Sequence, residues 1–147
     1  MVRITLAILY SVWKHRGQKR KITGYPYVVH PLRVGYALWR QKQPLEVVLA
    51  GILHDTLEDT NATDKELLRL FGAEVLHLVS FVSKNRPLYI PTSRAEIMPK
   101  KVLAIKLADV KDNLRDNYKH GQAVSDAVLV RYNEFVQKAE TLLNNQK

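Results

Sequence analysis

The segment Leu53-His54-Asp55-Thr56-Leu57-Glu58-Asp59-Thr60 places one imidazole and three carboxylates within six residues, at the end of the apolar run Val47 to Leu53. Ionisable groups that close so hydrophobic a segment must be paired or must coordinate a metal, because an isolated charge is too costly to desolvate. His54 and Asp55 offer a nitrogen and an oxygen, the mixed donor set of a divalent transition metal. Glu58 and Asp59 each follow a candidate ligand by four residues and so share a helical face with it. A metal beside two free carboxylates can make a nucleophile from water, which is the chemistry of a hydrolase.

Two further segments could complete such a site. In Tyr27-Val28-Val29-His30-Pro31, His30 falls at a helix start, and in Lys106-Leu107-Ala108-Asp109 the acid follows the apolar run Val102 to Ile105. Lys106, Asp109 and Asn113 share one helical stripe through i, i+3 and i+7 spacing. Three helices could thus bring His30, His54 with Asp55, and Asp109 to one point. Two imidazoles and two carboxylates leave positions for water on Mn, Fe, Co or Zn. Glu58 or Asp59 would then orient the attacking water or carry its proton.

Each piece also has an ordinary reading. His30 could be a cap, Asp109 could pair with Lys106, and Lys14 to Lys21 could be a solvated basic loop. His15, His77 and His120 read as structural, exposed or turn residues, and Tyr25, Tyr27 and Tyr36 as packing residues.

The chain that must position these groups has 147 residues, 46% hydrophobic and 25% charged, which fits one globular domain over residues 1–147. Disorder is expected only at 144–147. Without cysteine there is no disulfide and no thiolate ligand, so a metal must rest on histidine and carboxylate. The net charge of +9 suits an anionic partner, and Lys14, His15, Arg16, Lys19, Arg20 and Lys21 form its densest cluster. The run Ile4 to Trp13 is too short to span a bilayer. Only Arg3 precedes it and no small-residue cleavage site follows, so no signal peptide is expected and the protein reads as cytoplasmic. Few aromatic residues fall on evidently exposed faces, so no interface is inferred.

The pattern is helical throughout, and the expectation is an all-α, multi-helical bundle. Helices are expected over 2–15, from His30 to about Gln41, from Pro44 through the apolar run, after Thr63, over 73–84, and over 94–118 and 122–144. Gly17, Gly24 and Pro26 make 16–26 a loop, and Pro87 and Pro91 do the same for 85–92. Thr63-Asp64-Lys65-Glu66 matches a capping box, and Gly72 is placed to stop that helix. Pro99 marks an irregularity within 94–118.

Taken together, the segments resemble the HD-domain hydrolases, and within them the hydrolase domain of the RelA/SpoT alarmone enzymes and the stand-alone small alarmone hydrolases. The resemblance runs through His15-x-Gly17-Gln18-x-Arg20-Lys21, Pro26-Tyr27-x-x-His30-Pro31-x-x-Val34, Leu53-His54-Asp55-x-x-Glu58-Asp59-Thr60, Phe71-Gly72 and Lys106-Leu107-Ala108-Asp109-x-x-x-Asn113-Leu114-Arg115, covering roughly residues 7 to 118. It implies an all-helical fold, one Mn(II) ion, and removal of pyrophosphate from the 3′ position of guanosine tetra- or pentaphosphate. It further implies His30, His54, Asp55 and Asp109 as metal ligands and Glu58 and Asp59 as the water-activating pair. Arg20, Lys21, Lys106 and Asn113 would contact the nucleotide.

The segment Ser83 to Pro91 departs from the family pattern, since the acidic-and-lysine motif and the basic stretch found there in relatives are shortened. Other phosphorylated nucleotides therefore stand as alternative substrates: deoxynucleotides, nucleoside monophosphates or dinucleotide phosphates. A basic nucleic-acid-binding module and an inactive nucleotide sensor are more distant alternatives. No recognisable nucleic-acid motif is present, and the Glu58-Asp59 pair is intact.

Overall fold

Residues Val47 to Leu53 are all buried, and the helix that carries them, α3 (Leu45–Leu53), packs against four other helices. The computed structural model describes residues 2–21, 23–121 and 124–145. Among these the chain forms α1 (Val2–Lys14), α2 (Val29–Arg40), α3, α4 (Thr56–Asp59), α5 (Asp64–Phe71), α6 (Ala73–Val82), a 3₁₀ turn (Thr92–Ile97), α7 (Lys100–His120) and α8 (Asp126–Asn144). No strand occurs among the described residues, only an isolated antiparallel bridge between Lys19 and Pro26. The fold is all-α, as the periodicity predicts.

A second apolar helix runs through the core, for Val102 to Ala108 on α7 are buried without interruption. Helices α3 and α7 are the two hydrophobic axes of the bundle, and both end their apolar stretches in ionisable residues. Fully burying one aliphatic side chain contributes about 1.5–3 kcal/mol, so these runs fix both axes firmly.

The local signals act as expected at several ends. Pro44 precedes α3 and needs no hydrogen-bond partner for its missing N–H. Thr63 and Glu66 form the reciprocal capping box of α5, with Glu66 N donating to Thr63 Oγ1 at 3.2 Å and Thr63 N donating to Glu66 Oε2 at 2.8 Å. Gly72, at φ 89°, turns the chain between α5 and α6 through the left-handed region that side chains resist.

Other expectations are corrected. Helix α3 stops at Leu53, and His54 and Asp55 form a corner before the single turn of α4, so Glu58 and Asp59 do not continue one helix. Thr56 Oγ1 closes that corner by donating to Leu53 O at 2.7 Å. The span 94–118 is not one helix: Pro99 precedes α7, which begins at Lys100 after the 3₁₀ turn. Helix α8 starts at Asp126 rather than at 122, and Gln122 itself lies outside the described residues. Of the expected disordered end, Asn144 closes α8, whereas Gln146 and Lys147 lie outside the described residues.

Aromatic residues are more exposed than expected, with Trp13, Tyr25, Tyr36, Trp39 and Tyr118 each at least half accessible. No described helix is long and apolar enough to cross a membrane.

The contact that matters most for the site is α2 on α3. A Cβ on Gly35 would sit 2.3 Å from Ile52 Cγ1, and one on Gly51 would sit 2.4 Å from Leu38 Cδ1. Two glycines let the helix carrying His30 close onto the one that ends at His54. Gly35→Ala is expected to lower unfolding free energy by about 1–3 kcal/mol, the usual cost of overpacking a filled core. Urea unfolding followed by circular dichroism checks this; an unchanged midpoint would contradict the close packing.

Candidate metal centre and active site

Four donor atoms meet where α2, the α3–α4 corner and α7 converge. His30 lies in the first turn of α2 and Asp109 in the middle of α7. Asp109 Oδ1 stands 3.2 Å from His30 Nε2 and 3.8 Å from His54 Nε2. Asp55 Oδ2 stands 3.1 Å from His54 Nε2 and 3.6 Å from His30 Nε2. Neighbouring ligands held about 2.0–2.2 Å from a metal are separated by roughly 3–3.5 Å, and these separations of 3.1–3.8 Å lie close to that spacing. Both imidazoles are buried, and His54 Nε2 has no partner in hydrogen-bonding geometry among the described residues despite the nearby carboxylate.

Every donor is oriented from behind. His30 donates from Nδ1 to Asp112 Oδ2 at 2.7 Å, and His54 donates from Nδ1 to the carbonyl of Gly51 at 2.9 Å. Both partners can only accept, so each ring keeps its proton on Nδ1 and turns a lone pair on Nε2 into the site. Tyr27 donates its phenolic hydrogen to Asp55 Oδ2 at 2.8 Å, and Asn113 donates from Nδ2 to Asp109 Oδ1 at 2.7 Å. The nitrogens of His30 and His54 and the Asp109 carboxylate converge within 4.8 Å of one another, and with Asp55 beside them they make a donor set that fits a divalent cation.

The electrostatics agree. Burial alone would push the His30 imidazole down, yet its hydrogen bonds to Asp109 and Asp112 and the charges of Asp109 and Asp55 raise it to about 9. His54 is likewise raised, against burial, by Asp55 and Asp109. Burial works against the charged form of Asp109 too, but His30 and His54 bring it to about 2, and Asp55 is held well below the carboxylate range by the same imidazoles. Positive charge is strongly favoured at this point.

The tetrad floors a cleft of about 280 Å³. Glu58 and Asp59 line it, as do Arg20, Lys84, Lys106 and Asn113. Glu58 accepts from the backbone N–H of Lys84 at 2.8 Å and from its Nζ at 3.2 Å. Asp59 Oδ2 is 3.0 Å from the Tyr27 hydroxyl, so one phenolic proton lies between the two carboxylates Asp55 and Asp59. Asp59 is raised, first by burial and then by the charges of Asp55 and Glu58, although the Tyr27 bond opposes the shift.

The substrate residues inferred from the sequence divide. Arg20 faces the cleft but is anchored, donating to Asp116 Oδ2 at 2.9 Å and to Asn113 Oδ1 at 3.0 Å. Lys106 is buried, with Nζ 3.3 Å from Val82 O and over the Tyr89 ring, and is not an ion-pair partner of Asp109 in direct contact. Lys21 does not line the cleft. It borders an adjoining depression with Lys19 and Gln18.

The basic cluster also splits, because Lys14 is buried against Glu66 and Asn61, and His15 is buried and stacked on Tyr27. His77 is exposed, as expected, whereas His120 is the exposed last residue of α7 rather than a turn residue.

Several functional positions escaped the sequence reading. Tyr27 is part of the site rather than a packing residue. Asp112, Arg33 and Asp116 form a charged layer behind His30. Lys84, in the segment that follows α6, supplies a cation beside Glu58. The acids had a visible signal, since Asp109, Asp112 and Asp116 recur at i, i+3 and i+7 on α7.

The HD-domain family model matches residues 7–134. A GTP pyrophosphokinase of Myxococcus xanthus is 41% identical, the match covering 76% of this chain and 17% of that protein. A guanosine-3′,5′-bis(diphosphate) 3′-pyrophosphohydrolase of Aquifex aeolicus is 40% identical over the same shares of the two chains. The Escherichia coli bifunctional (p)ppGpp synthase/hydrolase SpoT is 35% identical over 77% of this chain and 18% of its own. The chain thus spans about a sixth of the length of these relatives. Among solved structures, a metazoan ortholog of SpoT that hydrolyses ppGpp superposes with a TM-score of 0.75 at 28% identity, over 99% of this chain and 85% of that one. A Listeria monocytogenes protein superposes with a TM-score of 0.61 at 33% identity, over 81% and 83% of the two chains.

Tyr27→Phe removes one hydroxyl that serves two carboxylates. The expected outcome is a folded protein whose Mn(II) affinity falls about tenfold or more, the usual cost of losing an outer partner. Isothermal titration calorimetry measures it, and an unchanged affinity would remove Tyr27 from the site.

Proposed function

The chain belongs to the HD-domain family, and from that premise we propose that it is a divalent-metal-dependent phosphohydrolase that removes pyrophosphate from the 3′ position of guanosine 3′,5′-bis(diphosphate) or the corresponding pentaphosphate. The observation that carries this reading is the convergence of His30, His54, Asp55 and Asp109 at the floor of a cleft that also presents Glu58, Asp59 and the cations Arg20, Lys84 and Lys106. The names of the Aquifex relative and the metazoan ortholog support the guanosine 3′-pyrophosphate as substrate. A cytoplasmic setting goes with a guanine nucleotide substrate.

His30, His54, Asp55 and Asp109 would hold the ion, and two nitrogens with two oxygens suit Mn(II), with Fe, Co or Zn as chemical neighbours. When bound, such an ion supplies a Lewis acid that acidifies water and polarises a phosphoryl oxygen.

The remaining steps fall to the protein. The water oxygen adds to the phosphorus attached to the ribose 3′-oxygen, and the bond from that phosphorus to the 3′-oxygen breaks. Glu58, oriented by two donors of Lys84, and Asp59, next to the Tyr27 hydroxyl, are the carboxylates placed to receive the water's proton and return one to the 3′-oxygen. The products are GDP or GTP and inorganic pyrophosphate, and atoms and charge balance. Arg20 presents a planar fork to phosphate, Lys84 and Lys106 act as point charges, and Asn113 lines the same wall toward the sugar or base. Lys21, set outside the cleft, has a part only if the nucleotide reaches the neighbouring depression.

The test is turnover by metal-stripped protein, with and without added Mn(II), on guanosine tetraphosphate beside a panel of ordinary nucleotides. Mn-dependent pyrophosphate release from the tetraphosphate is the expected result, and turnover of another nucleotide alone would reassign the substrate. Asp55→Ala is expected to abolish metal binding and turnover together, while full activity in that variant would overturn the site. Arg20→Ala is expected chiefly to raise KM; a fall in kcat at constant KM would make its role something other than binding.

A further inference from the structure

Behind His30, on the side away from the cleft, four charged side chains alternate in sign without a break. His30 Nδ1 meets Asp112 Oδ2 at 2.7 Å. Arg33, one helical turn beyond His30 on α2, donates from Nε to Asp112 Oδ1 at 2.7 Å and from Nη2 to Asp112 Oδ2 at 2.8 Å. The same Nη2 lies 2.7 Å from Asp116 Oδ2. Asp116 in turn receives Nε and Nη2 of Arg20, at 3.2 and 2.9 Å, and Arg20 returns to the cleft beside Tyr27. The side chains of Asp116, Asp112 and Arg20 are 2%, 8% and 10% exposed.

We propose that Arg20–Asp116–Arg33–Asp112–His30 is a positioning ladder that sets the two ends of the active site from one support, with Asp112 and Arg33 fixing the metal-facing nitrogen of His30 and Asp116 fixing the phosphate-facing guanidinium of Arg20. It rests on the reading of the tetrad as a metal centre.

The physical case has three parts. Asp112 can only accept, so it dictates which His30 nitrogen is left for a ligand bond, and an ionised partner also makes that nitrogen a stronger donor. Arg33 is the element that a simple carboxylate–histidine pair lacks: its planar fork grips Asp112 along two bonds while its Nη2 reaches Asp116, a geometry one ammonium cannot copy. Buried ion pairs seldom add net stability over apolar side chains of the same size, so stability alone is a poor reason for two of them in series. They stand between a candidate metal ligand and a candidate phosphate ligand.

The test separates the two ends. Metal-stripped full chain is titrated with Mn(II) by calorimetry and with Co(II) by its visible absorption, and steady-state kinetics are run on guanosine tetraphosphate. Asp112→Asn keeps an acceptor for His30 and is expected to weaken Mn(II) binding 10–100-fold, with an altered Co(II) spectrum. Arg33→Lys is expected to weaken metal about tenfold and to raise KM as well. Asp116→Asn is expected to raise KM several-fold while metal affinity stays within about threefold, since Asp116 touches Arg20 and Arg33 but not His30.

Lys111→Ala, which breaks a surface pair between α7 and Glu140 on α8, is expected to change neither. Arg33→Ala strips the buried Asp112 of its guanidinium and leaves Asp116 to Arg20 alone, and is not used, because it can simply unfold. Wild-type metal affinity in both Asp112→Asn and Arg33→Lys would overturn the ladder while leaving the metal centre standing. Failure of the wild-type chain to bind Mn(II) or Co(II) would instead overturn the metal centre, and the ladder with it. A metal affinity lost equally in Asp116→Asn and Asp112→Asn would show a general loosening and refute the division of labour.

Discussion

Two carboxylates, Asp55 and Asp109, sit where the two longest unbroken buried runs, Val47 to Leu53 and Val102 to Ala108, come to an end, and the rest of the structure answers the cost of putting them there. An isolated buried carboxylate is driven toward its neutral form. These two are held in the opposite direction by the imidazoles of His30 and His54. The imidazoles are raised by the same encounter. Opposite charge is therefore required at that spot, from protons on the rings or from a cation between them, and a doubly charged ion replaces two protons with no change in net charge. Asp112 and Asp116 do not disturb this balance, because Arg33 and Arg20 neutralise them one for one.

Geometry then follows from packing. A constellation drawn from three segments of the chain needs backbones that approach closely and do not slide. Gly35 and Gly51 provide the approach, because there is no room for a Cβ on either helix at the crossing. The Gly51 carbonyl has a second task, receiving the Nδ1–H of His54. One residue thus fixes the helix spacing and the orientation of a ring. The corner between α3 and α4 works in a similar way: by ending the helix at Leu53 it lets His54 and Asp55 face the site together, while Glu58 and Asp59 stand at its rim. The rim is tied down by Asn85, whose side chain donates to Leu57 O at 3.0 Å, so the segment after α6 closes one wall of the cleft.

The positions that sequence made legible are those governed by local chemistry. The capping box at Thr63 and Glu66, the stop at Gly72 and the apolar axes α3 and α7 can all be read residue by residue, and so can the donors that close those axes. What could not be read depends on contacts between distant segments. Tyr27 looks like any half-buried tyrosine until Asp55 and Asp59 arrive from residues 28 and 32 positions away. Arg33 looks like a surface arginine until α7 brings Asp112 and Asp116 against it. Lys14 and His15 belong to a basic stretch in one dimension, but helical geometry turns them inward and leaves Arg16, Lys19 and Lys21 outside. The corner at His54 was missed for a related reason, since residues 45–59 carry a helical pattern throughout and only tertiary packing decides where the axis breaks.

The distribution of charge also favours a small anion over a nucleic acid as the proposed partner of this basic chain. Binding a polymer electrostatically needs a run of cations free to neutralise successive phosphates. Here many cations are already engaged between elements. Lys14 joins α1 to α5, Lys101 joins α7 to α6, Lys111 joins α7 to α8, Lys138 joins α8 to the 3₁₀ turn, and Arg86 joins its loop to α5. Such pairs are worth little individually at the surface, but they leave each lysine or arginine with a local acid rather than an open face. Arg20 and Lys84 also have local acids, Asp116 and Glu58, but together with Lys106 they line one cleft with the tetrad and the Glu58–Asp59 rim. A cleft of about 280 Å³ lined by these three cations suits a compact anion, whereas an extended duplex cannot enter it. Cations that join elements support the fold, and those that surround the cleft stand where the carboxylates already favour positive charge.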